Sequence, residues 1–461
     1  MEKKRSSFSS SLGFILAAAG SAVGLGNIWR FPYVVAKDGG GLFLLIYAVL
    51  LLTVGFVLLT TEVSLGRKTK TGPLVAYHKI DHKWSFLGIF ACVIPAIILP
   101  YYSVIGGWVC TYFADFITGQ GAKTAADGAF TGFITSQWAP IIAFLVFFGL
   151  TILIVAFGVQ GGIETISKIL MPALFIMVIG IAVFSLTLSY TDESGVTRTG
   201  LQGACAYLIP DFKSITLNSF LNTLMDAMGQ MFYSLSIAMG IMVAYGSYMK
   251  DDDNIIKSVN RIQIFDTGVA FFAGLMIVPA VYTFMGKEGM SAGPGLMFIS
   301  LPKIFASMKA GSVIGSIFFL MVIFAALTSS ISLLEAVVSS FCDRLKWNRK
   351  KSIIVASLLS VFVGLIVCLG YNVFYFDLTL PNGSVGQILD VLDYLSNNVL
   401  MPILALLTCI FIGWIAGPDV IIGEVEKNGE KFLRKKIYTV IVKYIAPVCL
   451  FILLLQAIGI I

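Results

Sequence analysis

Five carboxylates interrupt otherwise apolar stretches of this chain: Glu62, Asp226, Asp266, Glu335 and Asp419. An ionisable group among hydrocarbon is costly unless it is paired or functional. Two further polar groupings stand in apolar surroundings. One is Ala19-Gly20-Ser21-Ala22-Val23-Gly24-Leu25-Gly26-Asn27, with Arg30 just beyond, and the other is Thr328-Ser329-Ser330. Hydroxyls at Thr328 and Ser329 are hard oxygen ligands, suited to a small hard cation rather than to a transition metal. The two histidines, His78 and His82, sit together in a basic stretch. Seven cysteines (92, 110, 205, 342, 368, 409 and 449) form no C-x-x-C pair, so neither a zinc site nor a disulfide framework is indicated. These residues suit the binding of a cation and a small ligand, not catalysis.

The elements that must position them read as interrupted helices. Each interior Gly costs roughly 1 kcal/mol relative to Ala, so Gly20, Gly24 and Gly26 make a continuous helix expensive. Gly20 and Gly24 also form a small-xxx-small pair, and tight helix packing is the competing reading. Asn27 and Arg30 directly after the glycines argue for a break. A second glycine-bounded span, Gly229 to Gly240, mixes Gln230, Tyr233, Ser234 and Ser236 in the same way. Unwound backbone at membrane depth persists only where its polar groups find partners. Carbonyls ending the first half-helix suit a bare cation, and amides opening the second suit a carboxylate.

Composition sets the environment. Of 461 residues, 58% are hydrophobic and 12% charged, with mean hydropathy +0.92, against about 25% charged in soluble proteins. This excludes a soluble globular enzyme, and a net charge of +6 does not argue for nucleic acid. A spanning helix needs about 20 apolar residues. Eleven stretches qualify, near 11–36, 41–65, 86–117, 138–157, 165–188, 219–248, 259–284, 311–342, 352–372, 388–416 and 436–460. The apolar runs are continuous rather than alternating, which excludes a barrel. The N-terminal run lacks a small-residue cleavage site and reads as a retained first span. With the N-terminus cytoplasmic, the inner segments hold 23 of the 31 Lys and Arg residues. The positive-inside rule therefore predicts an inside N-terminus and an outside C-terminus.

The run Gly24-Leu25-Gly26-Asn27-Ile28-Trp29-Arg30-Phe31-Pro32, followed by Gly39-Gly40-Gly41, resembles the signature of the neurotransmitter:sodium symporters, closest to their bacterial amino-acid-transporting branch. The sixth span, the hydroxyl run of the eighth and the D-x-x-D start of the tenth fall in order as well. The resemblance covers nearly the whole chain. It implies an all-α polytopic protein of the bacterial inner membrane, with one transmembrane domain over 1–461. Inverted repeats would span about 11–188 and 219–416, with an additional helix at about 436–460 and discontinuous helices 1 and 6. It also implies two Na+ as coupling ions and no other cofactor.

Carried over by position, the resemblance places a first sodium at the Ala22 carbonyl, Asn27, Ser234, Asp266 and the substrate carboxylate. A second would lie among carbonyls of Gly20, Val23 and Ala325 and hydroxyls of Thr328 and Ser329. The substrate carboxylate would meet amides near Leu25 and Gly26 and the Tyr102 hydroxyl, and its amino group carbonyls of Ala22, Tyr233 and Ser236. The substrate side chain would lie against Ile98, Tyr233, Ser236, Ala238, Ser329 and Leu333. No charge lines that wall, and burying an unpaired charge is costly, so a neutral, hydrophobic amino acid is the expected cargo.

Outer closure would pair Arg30 with Asp393 through water, above Tyr102 and Tyr233. Inner closure would pair Arg5 with Asp343, braced by Tyr248. Chloride-dependent relatives carry a Ser where this chain has Ala270, and Asp266 stands where they have Asn. A carboxylate there supplies negative charge beside sodium, so chloride is not expected to be required. Gly162 and Pro172 form a Gly-x9-Pro spacing, read either as a weak point in helix 5 or as an ordinary helix start with a packed kink. The expected activity is sodium-coupled uptake by alternating access, helices 1, 2, 6 and 7 rocking against 3, 4, 8 and 9. A proton-coupled carrier, with Asp266 titrating, and a transport-silent amino-acid sensor are the rival readings.

Overall fold

The computed structural model describes residues 6–192, 194–210, 212, 216–289 and 295–460, with backbone alone at 287 and 288. Arg5, assigned above to an inner closure, lies outside the described residues.

Helices dominate. The first apolar stretch forms α1 (Ser11–Ala22) and α2 (Gly26–Lys37), bent by 55° at the glycine-rich break. Ser10 caps α1, its hydroxyl accepting from the Gly13 amide at 3.1 Å. Then come α3 (Gly41–Thr69), α4 (His82–Ile117), α5 (Ala139–Ala156) and α6 (Val159–Leu186). The sixth expected stretch is two shorter helices, α7 (Leu217–Ser234) and α8 (Ile241–Tyr248). The series ends with α9 (Ile255–Gly286), α10 (Gly311–Leu345), α11 (Arg349–Leu369), α12 (Ile388–Ile415) and α13 (Lys435–Ala457).

Among the described residues, nine helices are long and apolar enough to cross a membrane, and the bent α1–α2 pair makes ten. The eleventh expected span differs because α7 carries Asn218, Asn222, Asp226 and Gln230, while α8 has only eight residues. Between them the backbone of Ser236, Ala238 and Gly240 takes positive φ angles of 52°, 60° and 69°. Two consecutive alternate non-glycine residues in the left-handed region are strained, and such strain persists only where surroundings enforce it.

The centre is built on α4 and α10, which pack along each other, with α8 against α3 and α6 against α9. Connections between the long helices carry two small antiparallel hairpins, Ser189–Thr191 with Thr197–Thr199 and Leu378–Thr379 with Val385–Gly386. The apolar run expected near 295–308 is a short helix, Leu296–Ser307. The run expected near 214–222 lies partly outside the described residues, and its remainder opens α7.

Candidate binding site at the helix breaks

The two breaks face each other. Gly26 lies so close to the Tyr233 ring that any Cβ would collide with it, and a Cβ on Gly24 would sit 2.8 Å from Ser329 Oγ and 3.0 Å from the Tyr102 hydroxyl. Close approach of backbone to aromatic and hydroxyl groups therefore requires these glycines.

One polar cluster joins α2, α7 and α9. Asn27 Nδ2 donates to Ser234 Oγ at 2.9 Å and to Asp266 Oδ1 at 2.7 Å, while its Oδ1 accepts from the Gly24 amide at 3.1 Å. The Ser234 hydroxyl donates to Asp266, 2.8 Å from Oδ1 and 3.0 Å from Oδ2. All three side chains are buried. Gln230 Nε2 donates to the Gly26 carbonyl at 3.1 Å, and Tyr47 and Ala270 are buried as well.

A second cluster joins α1 and α10. Gly20 brings its backbone against Thr328 Cβ, and the Thr328 hydroxyl donates to the Ala325 carbonyl at 3.1 Å. Ser329 Oγ donates to the Ser21 carbonyl at 3.2 Å and lies 3.5 Å from the Val23 carbonyl. Sequence reasoning missed two members. Ser332 Oγ donates to Ser21 Oγ at 2.8 Å, and Ser21 Oγ in turn to Ser236 Oγ at 3.2 Å. Ser332 lies four residues after Thr328, one helical turn on the same face, and that spacing was the available signal.

Between the clusters is a small cavity of about 30 Å³. Of the residues expected around a substrate, Ala22, Leu25, Gly26, Ile98, Tyr102, Tyr233, Ser236, Ser329 and Leu333 line it. Ala238 does not; Met239 and Ile241 stand there instead, together with Ser21, Gly24 and Asn27. Ser236 and Ala238 take positive φ within the break, and the Ala238 amide donates to Glu62 Oε1 at 2.7 Å. Among the described residues, no Asp, Glu, Lys, Arg or His lines this cavity. The Tyr102 hydroxyl accepts from the Leu25 amide at 3.2 Å.

Tyr233 also lines a second, larger cavity of about 220 Å³, lined further by Trp29, Arg30, Tyr33, Asp393, Asn397 and Asn398. The Arg30 guanidinium lies 6.0 Å from the Tyr233 ring centre. Arg30 and Asp393 share this larger cavity without an ion pair within 4.0 Å, and Asn397 Nδ2 donates to Asp393 Oδ1 at 2.7 Å.

On the other side, the Tyr248 hydroxyl donates to Glu335 Oε1 at 2.7 Å, and Arg349 clamps both Glu335 oxygens at 2.9 and 2.6 Å. Asp343 accepts from the Gly72 amide. The remaining in-span acid, Asp226, pairs with Lys37 at 2.8 Å, whereas Asp419 opens the short helix Asp419–Val425 beyond α12. The His78 and His82 rings lie 4.5 Å apart. Among the described residues no three His, Cys, Asp or Glu side chains gather as a metal site.

The chain matches the model of the sodium:neurotransmitter symporter family over residues 5–131 and 134–460. It is 35% identical to the sodium-dependent transporter YhdH of Bacillus subtilis, covering 100% of this chain and 99% of that one. A sodium-dependent transporter of Haemophilus influenzae is 31% identical over 98% of both chains. The crystal structure of MhsT in complex with L-phenylalanine aligns with a TM-score of 0.85 and 33% identity, covering 98% of this chain and 100% of that one. The all-α polytopic fold, its inverted-repeat architecture and its broken N-terminal helix are those of a transporter rather than an enzyme. The chain accordingly belongs to the sodium:neurotransmitter symporter family, as a sodium-coupled secondary transporter of a bacterial inner membrane.

Proposed function

We propose that the protein takes up neutral, hydrophobic L-amino acids together with sodium, by alternating access. The observation that carries this reading is the cavity at the helix breaks: largely apolar walls, no charged residue among its described lining residues, and the Leu25 amide beside the Tyr102 hydroxyl. A zwitterion's carboxylate fits the amide end and its side chain the apolar end. The complex of MhsT with L-phenylalanine supports the same class of cargo.

In this reading the first of two sodium ions is held by the Ala22 carbonyl, Asn27, Ser234, Asp266 and the substrate carboxylate. The second is held by carbonyls of Gly20, Val23 and Ala325 with Thr328 and Ser329. The two polar clusters support both assignments, since each brings hard oxygens from separate helices together. The first ion touches the substrate, so each stabilises the other's site. Asp266 brings its own negative charge, and transport is chloride-independent. Inward sodium movement is worth about 2.3 kcal/mol per charge per 100 mV of membrane potential.

The same reading takes α7 and α8 as one discontinuous sixth span, making eleven, with the N-terminus cytoplasmic and the C-terminus outside. The repeats run over about 11–188 and 219–416 of a single domain, and α13 lies outside them. Arg30, Asp393, Tyr102 and Tyr233 close the outer path, and Arg5, Asp343 and Tyr248 the inner one. A proton-coupled carrier is the rival, favoured by the burial of Asp266 among neutral partners.

Uptake of labelled leucine, tryptophan, tyrosine and alanine into proteoliposomes tests the proposal. Accumulation under an inward sodium gradient, absent when potassium replaces sodium, supports it. Accumulation under a proton gradient without sodium selects the rival. Binding with equal traces in every buffer selects a sensor.

A further inference from the structure

The connection between α12 and α13 carries a feature that transport does not use. Residues 431–436 read Lys-Phe-Leu-Arg-Lys-Lys. Lys431, Arg434, Lys435 and Lys436 are all exposed, and Leu433 among them is 90% exposed, whereas Phe432 is 3% exposed. Among the described residues, Lys435 alone of the four cations has a carboxylate within 4.0 Å, Glu426 at 3.7 Å. The nearby Glu424 is already paired with buried Arg67 at 2.7 Å, and Glu430 pairs with none of the four. Lys435 and Lys436 open α13, where no acidic residue stands and where the positive end of the helix dipole disfavours them. An arriving anion offsets both the cations and the dipole.

A fully exposed leucine flanked by unpaired cations matches a bilayer interface, apolar below and anionic above. Beside it, exposed Trp414 and Tyr444 pack edge-on at 5.4 Å with Lys443 over the Trp414 ring, as interfacial aromatics do. We propose that the 431–436 turn docks onto anionic phospholipid, Leu433 entering the acyl boundary while Lys431, Arg434 and Lys436 hold headgroup phosphates. The turn is also fastened to α3. Phe432 and Arg434 lie 6.3 and 4.8 Å from the Phe56 ring, and the Tyr438 hydroxyl is 2.8 Å from Thr61 Oγ1. Lipid held there braces α3, one of the helices that rock in the transport reading; this second step rests on that reading.

The test uses the full chain with Leu433→Trp, in vesicles of phosphatidylcholine and phosphatidylglycerol in which one lipid or the other carries brominated acyl chains. The added tryptophan signal, measured against the parent chain, is expected to be quenched at least about twofold more by brominated phosphatidylglycerol, since each nearby cation enriches anionic lipid by up to about fivefold. Adding K431Q, R434Q and K436Q should equalise the two lipids. If those changes impair folding, high salt should equalise them in the single variant, because exposed charges are screened. Equal quenching by both lipids at low salt, or quenching by neither, overturns the proposal. A phosphatidylglycerol preference in a chain that shows no sodium-driven uptake counts against the transport reading and not against docking.

Discussion

Asn27 Nδ2 lies 2.7 Å from Asp266 Oδ1, across 239 residues of sequence, and the Ser234 hydroxyl shares that carboxylate. Three helices, α2, α7 and α9, are thus tied to one buried negative group next to the break. A cation entering here finds Oδ1, Oδ2 and the Ser234 oxygen already gathered. Rotating the Asn27 amide would turn its oxygen toward the ion.

Removing that charge should weaken sodium activation. Asp266→Asn is expected to raise the sodium concentration for half-maximal uptake at least about tenfold, equivalent to about 1.4 kcal/mol. The parent chain should transport equally well when gluconate replaces chloride. Uptake falling to background in gluconate would contradict the role given to Asp266.

The two polar clusters should separate by mutation. Asn27→Ala and Ser234→Ala are expected to lower sodium and substrate affinity together, because the first ion bridges protein and substrate. Thr328→Ala should weaken sodium dependence by about tenfold while leaving substrate affinity closer to the parent value. Sodium titrations of uptake and of equilibrium substrate binding read the two effects separately. An unchanged sodium dependence in Thr328→Ala would remove the second ion from the α1–α10 cluster.

Much of this arrangement was legible before any coordinates. Of the eleven spans expected from continuous apolar runs, ten stand among the described residues when the bent α1–α2 pair is counted as one, because a lipid-facing helix must be apolar along its length. The bend at α1–α2 was legible because three glycines sit within seven residues beside Asn27 and Arg30. What escaped were pairings set by tertiary packing. Nothing in the local pattern links Glu335 to Arg349, Arg67 to Glu424 or Ser21 to Ser332. The resemblance set Ala238 beside the substrate side chain, whereas the residues lining the cavity after Ser236 are Met239 and Ile241.

The Arg67–Glu424 pair yields a stability prediction. Both side chains are almost wholly buried, their ion pair measures 2.7 Å, and Arg67 also donates to the Asp253 carbonyl at 2.6 Å. Losing one partner strands a buried charge, which costs about 3–5 kcal/mol, whereas replacing both by apolar residues is often near neutral. Glu424→Leu alone should therefore lower the thermal midpoint in detergent markedly, and Arg67→Met with Glu424→Leu should recover much of it. A loss in the double variant equal to the sum of the two single losses would mean that the charges contribute independently of each other.

A pH dependence follows from the C-terminal end of α2. Lys37 Nζ lies 2.8 Å from Asp226 and 3.9 Å from Asp38, so two carboxylates face one ammonium. Burial, and then the negative charge of Asp226, push the Asp38 carboxyl up to about 7, against the pull of Lys37. A raised value in the folded protein means that the protonated form is the favoured one there. Its contribution to stability is complete below the ordinary carboxylate range, about 4, and is lost as pH rises through about 7. Thermal midpoints in detergent should accordingly decline between about pH 4 and about pH 7, and Asp38→Asn should flatten that decline, because an amide holds its neutral form throughout. A decline of the same steepness in Asp38→Asn would assign the dependence to another group. A flattening shared by Asp226→Asn would show that the two carboxyls act as one site: with Asp226 neutral, Lys37 has only Asp38 to balance, and the carboxylate no longer resists ionisation.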